Sequence, residues 1–123
     1  MTDTFRPPRG PCYPDLRGKT VLVTGGAAGI GRGISLRMAE EGMHVFICGR
    51  RDELLREITA RIAAGGGKAT PVAADLSHEE EIDRLFDSIR RQCPALDVLV
   101  HNAAFVRRGQ FDDADYWRKM MAT

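Results

Sequence analysis

The sequence predicts an α/β protein whose parallel sheet is covered by helices on both faces. Short apolar runs rich in β-branched residues alternate along the chain with segments whose apolar residues recur at helical spacing. Each run is followed by one helical segment, an order typical of parallel sheets because the helix returns the chain to the start of the next strand. A glycine-rich turn, residues 24–31, joins the first run to the first helical segment.

The first strand and helix follow a proline-rich tail. Residues 1–17 contain four of the six prolines, so we expect neither a helix nor a central strand there. Residues 18–123 form the predicted domain, which opens with a strand at Val21–Thr24. A helix over residues 29–42 comes next and ends at Gly42. Its apolar positions are Ile30, Ile34, Met38 and Ala39.

The second strand, Val45–Cys48, is wholly apolar and precedes a helix with a clear apolar face. Asp52 is the predicted N-cap of this helix, which runs to about Ala64 and ends at the glycines of residues 65–67. Its apolar face consists of Leu54, Leu55, Ile58 and Ile62.

The third strand is weaker, and a better-marked helix follows it. Residues 69–74 form a strand that tolerates Pro71, and Ser77 with Glu80 is a predicted capping box for the third helix. The apolar face of that helix consists of Ile82, Leu85, Phe86 and Ile89.

The last predicted elements leave the sheet with an open edge. A fourth strand spans Asp97–His101 and a fourth helix starts within residues 112–122, which makes the order β1-α1-β2-α2-β3-α3-β4-α4. A doubly wound sheet has two βαβαβ halves and begins with strand order 3-2-1-4. We therefore expect a truncated domain that stops at Thr123 with β4 as its edge. The apolar run Val98–Val100 on that edge is a predicted site of self-association.

Composition argues against several classes of function. The 123 residues carry a formal net charge of +1, so no overall field attracts nucleic acid or a membrane. No apolar run approaches the about 20 residues that cross a bilayer. The N-terminus lacks the apolar segment of a secretory signal. Cys12, Cys48 and Cys93 form no metal-ligand pattern, so we expect free thiols, no metal and a cytoplasmic location.

The glycine-rich turn carries the main functional signal. Its sequence is Thr24-Gly25-Gly26-Ala27-Ala28-Gly29-Ile30-Gly31. Glycines let the backbone bend and let a diphosphate come close, and the next helix offers free N–H groups and the positive end of its dipole. A P-loop is disfavoured, because Arg32-Gly33 stands where lysine and serine or threonine are required. A tight turn with no ligand is the other alternative.

Residues after the second strand bear on the choice of dinucleotide. An acidic residue at this strand tip would bind the ribose of NAD, but Gly49 and Arg50 stand there. Gly49 leaves room and the Arg50 guanidinium suits a 2′-phosphate, so the sequence favours NADP over NAD. The alternative is that Arg50 and Arg51 are ordinary solvent-exposed loop residues.

Polar residues also follow the third and fourth strands, at the edge where open parallel sheets bind ligands. Asp75 can accept a hydrogen bond from an adenine amino group, or it can cap the third helix together with Ser77. Asn102 can hold neighbouring backbone segments together, or it can satisfy only its own loop.

Together these residues resemble the short-chain dehydrogenase/reductase superfamily. The turn matches TGxxxGIG, Asp75-Leu76 matches the pair that contacts adenine, and residues 101–104 match the NNAG segment with two substitutions. The resemblance implies a Rossmann fold and hydride transfer between NAD(P) and an alcohol or carbonyl compound. Ala28 departs from the basic residue of many NADP-preferring members. The cofactor-binding residues that the resemblance implies are Thr24, Gly25, Gly29, Ile30, Gly31, Arg50, Asp75, Leu76, Asn102 and Ala103.

The resemblance also implies that no catalytic residue lies in this chain. The family's serine and its Tyr-x-x-x-Lys pair belong to the second half of the fold. Tyr116 does not match, because Lys119 follows it by three residues and Met120 by four. The expected function is an oxidoreductase represented by its cofactor-binding half, with a substrate only in a full-length form. The alternatives are a non-catalytic dinucleotide-binding module and an inactive fragment.

Overall fold

The computed structural model describes residues 12–103 together with residues 114, 115 and 118, and these last three are helical. The predicted fourth helix otherwise lies outside the described residues, as do Tyr116 and Lys119. The strands are β1 (Thr20–Thr24), β2 (His44–Gly49), β3 (Lys68–Ala73) and β4 (Val98–His101). The helices that follow the first three strands are α1 (Gly29–Glu40), α2 (Asp52–Ala64) and α3 (Glu79–Gln92).

The strands form one parallel sheet in the order β3-β2-β1-β4, which confirms the predicted Rossmann-type topology. β1 lies at the centre, and all five of its residues are buried. Its last residue, Thr24, pairs with Cys48 of β2 and with His101 of β4. The carboxyl ends of these strands therefore meet at one edge of the sheet.

Helices pack on both faces of the sheet, as a doubly wound fold requires. Val21 and Val23 of β1 pack with residues of α1 and α2, whereas Leu22 packs with residues of α3. This alternation follows from the two-residue period of a strand. The predicted apolar faces supply the buried helical residues Leu55, Ile58 and Ile62 of α2 and Leu85 and Ile89 of α3.

Both predicted side-chain N-caps are wrong. Asp52 is the first residue of α2 rather than its cap, and its carboxylate lies 2.9 Å from the Arg56 guanidinium. α3 begins at Glu79, and Ser77 is not its cap because the Ser77 hydroxyl donates to Asp75 Oδ1 over 2.7 Å. In each case the side chain interacts with a neighbouring polar side chain and not with a free N–H group at the helix start.

The end of the proline-rich tail contacts the domain. A short 3-10 helix spans Pro14–Leu16, and Leu16 packs against the core on the side of α1 and α2. The Tyr13 N–H donates to the Glu41 carboxylate over 2.9 Å, and the Gly18 N–H donates to the Gly42 carbonyl over 3.0 Å. These bonds attach the segment to the turn between α1 and β2, at the amino edge of the sheet.

The two edge strands differ in character. Pro71 lies within β3 beside Ile47, a position that an edge strand tolerates because a donor is lost from one ladder only. Within the described residues β4 pairs only with β1, and Leu99 on it is 54% exposed. None of the described helices has the length and apolar character to cross a membrane.

Candidate functional site

All of the predicted site residues lie at the carboxyl edge of the sheet. The glycine-rich turn follows β1, Arg50 follows β2, Asp75-Leu76 follow β3, and Asn102-Ala103 follow β4. The strands are parallel and in register, so segments far apart in sequence meet there.

Two glycines of the turn adopt backbone conformations that other residues rarely adopt. Gly25 has φ +64° and Gly29 has φ +56°. A Cβ at Gly25 would lie 3.1 Å from Asn102 Nδ2 and 3.1 Å from Ala103 Cα, so Gly25 allows close packing inside the fold. A Cβ at Gly29 would meet nothing within 4 Å. Gly29 therefore faces open space, where a ligand can approach the backbone.

Gly31 brings the first turn of α1 against the end of β1. A Cβ at Gly31 would overlap the Gly25 carbonyl oxygen and would lie 2.5 Å from Asn102 Nδ2. Both neighbours are held in place, because Asn102 Nδ2 donates to the Gly25 carbonyl over 3.1 Å. Glycine at position 31 is thus a packing requirement.

The start of α1 presents unpaired donors. The first N–H that bonds back into the helix is that of Arg32, which donates to the Ala28 carbonyl over 3.2 Å. The N–H groups of Gly29, Ile30 and Gly31 have no hydrogen-bond partner in the described part of the chain. Ile30 is 80% exposed at this point, so its predicted place on the apolar face of α1 is wrong. Three free donors at the positive end of a helix dipole favour an anion.

Thr24 and Asn102 join the ends of β1 and β4. Thr24 Oγ1 accepts the N–H groups of Asn102 and Ala103, each over 3.0 Å, and lies 3.4 Å from the Val100 carbonyl. With the bond from Asn102 to Gly25, this confirms that Asn102 holds neighbouring backbone segments together. These contacts fix the base of the glycine-rich turn.

Asp75 lies in a tight polar turn before α3. Its Oδ1 accepts the Ser77 hydroxyl over 2.7 Å and the Ser77 N–H over 3.0 Å. These two bonds lower the pKa of Asp75, and the charges of His78 and Arg50 lower it further. α3 has no side-chain cap, so the alternative in which Asp75 caps that helix is wrong, and the lowered pKa favours the carboxylate form of Asp75. Leu76 packs against the core under α3.

Arg50 is exposed just beyond β2. Its guanidinium makes no hydrogen bond or ion pair with another described residue, so its donors are open to a ligand. Its charge is the smallest of the causes that lower the pKa of Asp75. A Cβ at Gly49 would meet Leu55 only at ordinary contact distance, 3.5 Å, so the lack of a side chain there is not needed for packing.

Three further side chains at this edge, those of Ser35, Glu81 and Arg84, were not predicted from the sequence. Ser35 donates its hydroxyl to the Gly26 carbonyl over 2.9 Å. Glu81 Oε1 accepts the Asp75 N–H over 3.1 Å, and Arg84 donates to the Ala73 carbonyl over 3.2 Å. The burial of Ser35 could have been predicted from its spacing, because it lies four residues after Gly31 and four before Ala39 on the buried face of α1.

The comparisons with known proteins agree with this geometry. A family model described as short chain dehydrogenase matches residues 19–123. Similar proteins include a short chain dehydrogenase of Pseudocercospora fijiensis, 35% identical over 85% of this chain and 35% of its own. Another is dehydrogenase/reductase SDR family member 1 of Mus musculus, 42% identical over 72% of this chain and 28% of its own.

A solved structure, the complex of Pseudomonas aeruginosa RhlG with NADP, superposes with a TM-score of 0.78 at 33% identity. The match covers 89% of this chain and 44% of RhlG. The chain thus spans less than half the length of these relatives. The family model covers most of the chain, and the fold and the glycine-rich turn agree with it. The chain therefore belongs to the short-chain dehydrogenase family.

Proposed function

We propose that this chain binds NADP(H) at the carboxyl edge of its sheet and forms the cofactor-binding part of an oxidoreductase. The observation that carries the proposal is the set of free N–H groups on Gly29, Ile30 and Gly31 beside the open space at Gly29. A diphosphate group fits that set in charge and in hydrogen-bonding need. The RhlG complex with NADP, from the same family, supports the choice of ligand.

The residues present suit the other parts of the dinucleotide. In this proposal Arg50 binds the 2′-phosphate, the Asp75 carboxylate accepts the adenine amino group, and Leu76 and Ala103 line the site. Thr24, Gly25 and Asn102 hold the turn in its binding conformation. When bound, the nicotinamide of the cofactor supplies or accepts the hydride.

Preference for NADP over NAD rests on Arg50, whose donors are open to a ligand. A charge-assisted hydrogen bond from Arg50 to a phosphate would contribute about 1.5 kcal/mol to the binding free energy, which corresponds to about tenfold in affinity. We expect calorimetry to show NADPH binding more tightly than NADH. Arg50→Ala should weaken NADPH about tenfold and leave NADH unchanged.

Arg51→Ala is the matched control, because Arg51 is also exposed and adjacent to Arg50 in sequence. It should leave the affinity for both dinucleotides unchanged. Equal losses in the two variants would mean that general positive charge, and not Arg50, determines the preference. Absence of binding by the unaltered chain would refute the proposed function.

We further propose that the general acid/base of the reaction is not among these residues. Tyr13, the one described tyrosine, bonds to Glu41 at the opposite edge of the sheet. Mixed with NADPH and a panel of ketones, the chain should oxidise no NADPH above background. Steady turnover would contradict this, whereas binding without turnover would also suit the second candidate, a non-catalytic dinucleotide-binding module.

A cytoplasmic location is part of the proposal. Cys12, Cys48 and Cys93 are all free thiols, as expected in a reducing compartment. Cell fractionation tests it, and recovery with a secreted or membrane fraction would contradict it.

A further inference from the structure

Ser35 is a buried hydroxyl with an unusual partner. It lies in α1, it is 0% exposed, and its Oγ donates to the Gly26 carbonyl nine residues earlier, over 2.9 Å. A serine or threonine inside a helix ordinarily bonds to the carbonyl four residues before it. Thr59 of α2 does so, donating to Leu55 over 2.7 Å. Ser35 therefore acts on the glycine-rich turn and not on its own helix.

The contact holds one peptide group of the turn from both sides. The Gly26 N–H donates to the Cys48 carbonyl near the end of β2 over 3.3 Å, and the Gly26 carbonyl accepts the Ser35 hydroxyl. A Cβ at Gly26 would lie 2.7 Å from Ser35 Oγ, so the close approach depends on glycine at that position. The Gly26 backbone is thus bonded to both β2 and α1.

Fixing the Gly26 carbonyl also fixes the next N–H. In a trans peptide the C=O and the following N–H point in opposite directions. The Ala27 N–H therefore points away from Ser35, and it has no hydrogen-bond partner among residues 12–103. A buried donor without a partner is costly unless a ligand or water satisfies it.

We propose that Ser35 is a positioning residue that holds the Gly26–Ala27 peptide so that the Ala27 N–H donates to the bound dinucleotide. The inference rests on the proposed function, because it concerns the same cofactor. Ser35 does not touch the cofactor itself. Its hydroxyl prevents the peptide from flipping, and a flip would turn a carbonyl towards the ligand in place of a donor.

The test compares the unaltered chain with Ser35→Ala, with Thr59→Ala as the matched control. NADPH affinity is measured by calorimetry, and amide resonances are followed by ¹⁵N NMR during the titration. In the unaltered chain the Ala27 amide should shift on binding, as should those of Gly29 to Gly31. Ser35→Ala should weaken NADPH about five-fold and abolish the Ala27 response while the responses of Gly29 to Gly31 persist. Thr59→Ala should change neither.

Each outcome separates the hypotheses. If the unaltered chain binds no NADPH, the proposed function and this inference both fail. If it binds, and Ser35→Ala keeps the same affinity and the same Ala27 response, only the role of Ser35 is refuted. A uniform loss at every amide would show a merely structural role and would also refute it. Should Ser35→Ala not fold, Ser35→Cys, a weaker donor of similar size, must weaken the Ala27 response selectively.

Discussion

Replacing Gly31 with alanine tests how closely the glycine-rich turn is packed. The added Cβ would overlap the Gly25 carbonyl oxygen and lie 2.5 Å from Asn102 Nδ2. Neither neighbour can rotate away freely, because one is backbone and the other donates to it over 3.1 Å. The variant must therefore move α1 away from β1 or break the bond between Asn102 and Gly25.

The magnitude follows from these two costs. Overpacking a buried site costs about 1–3 kcal/mol, and loss of one hydrogen bond costs about 1 kcal/mol. We expect Gly31→Ala to lower the free energy of unfolding by about 3 kcal/mol, a large share of the about 5–15 kcal/mol typical of a small domain. NADPH affinity should fall more than tenfold, because the donors of Gly29 to Gly31 move with the helix.

Urea denaturation and NADPH calorimetry measure the two effects, and Gly33→Ala is the control. Gly33 lies in the same helix, and a Cβ there would meet nothing within 4 Å. Alanine should therefore stabilise the protein by about 1 kcal/mol through helix propensity. If Gly31→Ala is as stable as Gly33→Ala and binds NADPH normally, the packing argument is refuted.

Three further predictions concern other parts of the molecule. Burial, and then the charge of Lys68, lower the pKa of His44 from its usual 6.5. As the pH falls below about 7, the unfolded chain therefore takes up a proton before the folded chain does, and the free energy of unfolding should fall. That fall, measured by urea unfolding, should be smaller in His44→Asn; an equal fall would contradict it. Burial, and then the charge of Glu81, raise the pKa of Cys48 to about 11, so a thiol reagent at about pH 8 should modify exposed Cys12 and leave Cys48 intact until unfolding. Equal rates at the two cysteines would overturn this. We expect β4 to mediate self-association, so sedimentation should show less of it in Leu99→Lys; a wholly monomeric unaltered chain would contradict this.

The positions of β1 and β2 were predictable because burial on both faces of the sheet leaves a continuous apolar run in each. The predicted first strand, Val21–Thr24, differs from β1 by one residue, and the difference has a physical cause. Thr20 joins β1 because it pairs with His44 across the ladder. Pairing with a neighbour depends on tertiary structure, so a polar residue at a strand end gives no sign of it.

The errors at helix starts arise from local competition. Ser77 and Asp52 are both good capping residues by type. The Ser77 hydroxyl donates to Asp75 instead, and the Asp52 carboxylate pairs with Arg56. Ile30 has helical spacing with the core residues of α1, but it lies in the first turn of that helix and is exposed. Residue type and spacing predict a helix better than they predict what surrounds its first turn.

Buried polar contacts were beyond the reach of sequence, because they join distant positions. Glu41 is buried just after α1, and its carboxylate accepts the N–H of Tyr13, 28 residues earlier, over 2.9 Å. Ser35 shares a face with Gly31, but nothing in the sequence marks Gly26 as its partner. By contrast, the candidate site was largely predictable, since the turn and the residues after each strand all meet at the carboxyl edge.

A crystal structure of the chain grown with NADPH tests the central claim most directly. We predict that the diphosphate oxygens lie within hydrogen-bond distance, about 3 Å, of the N–H groups of Gly29, Ile30 and Gly31. NADPH bound elsewhere, or a turn left empty at saturating NADPH, would contradict it.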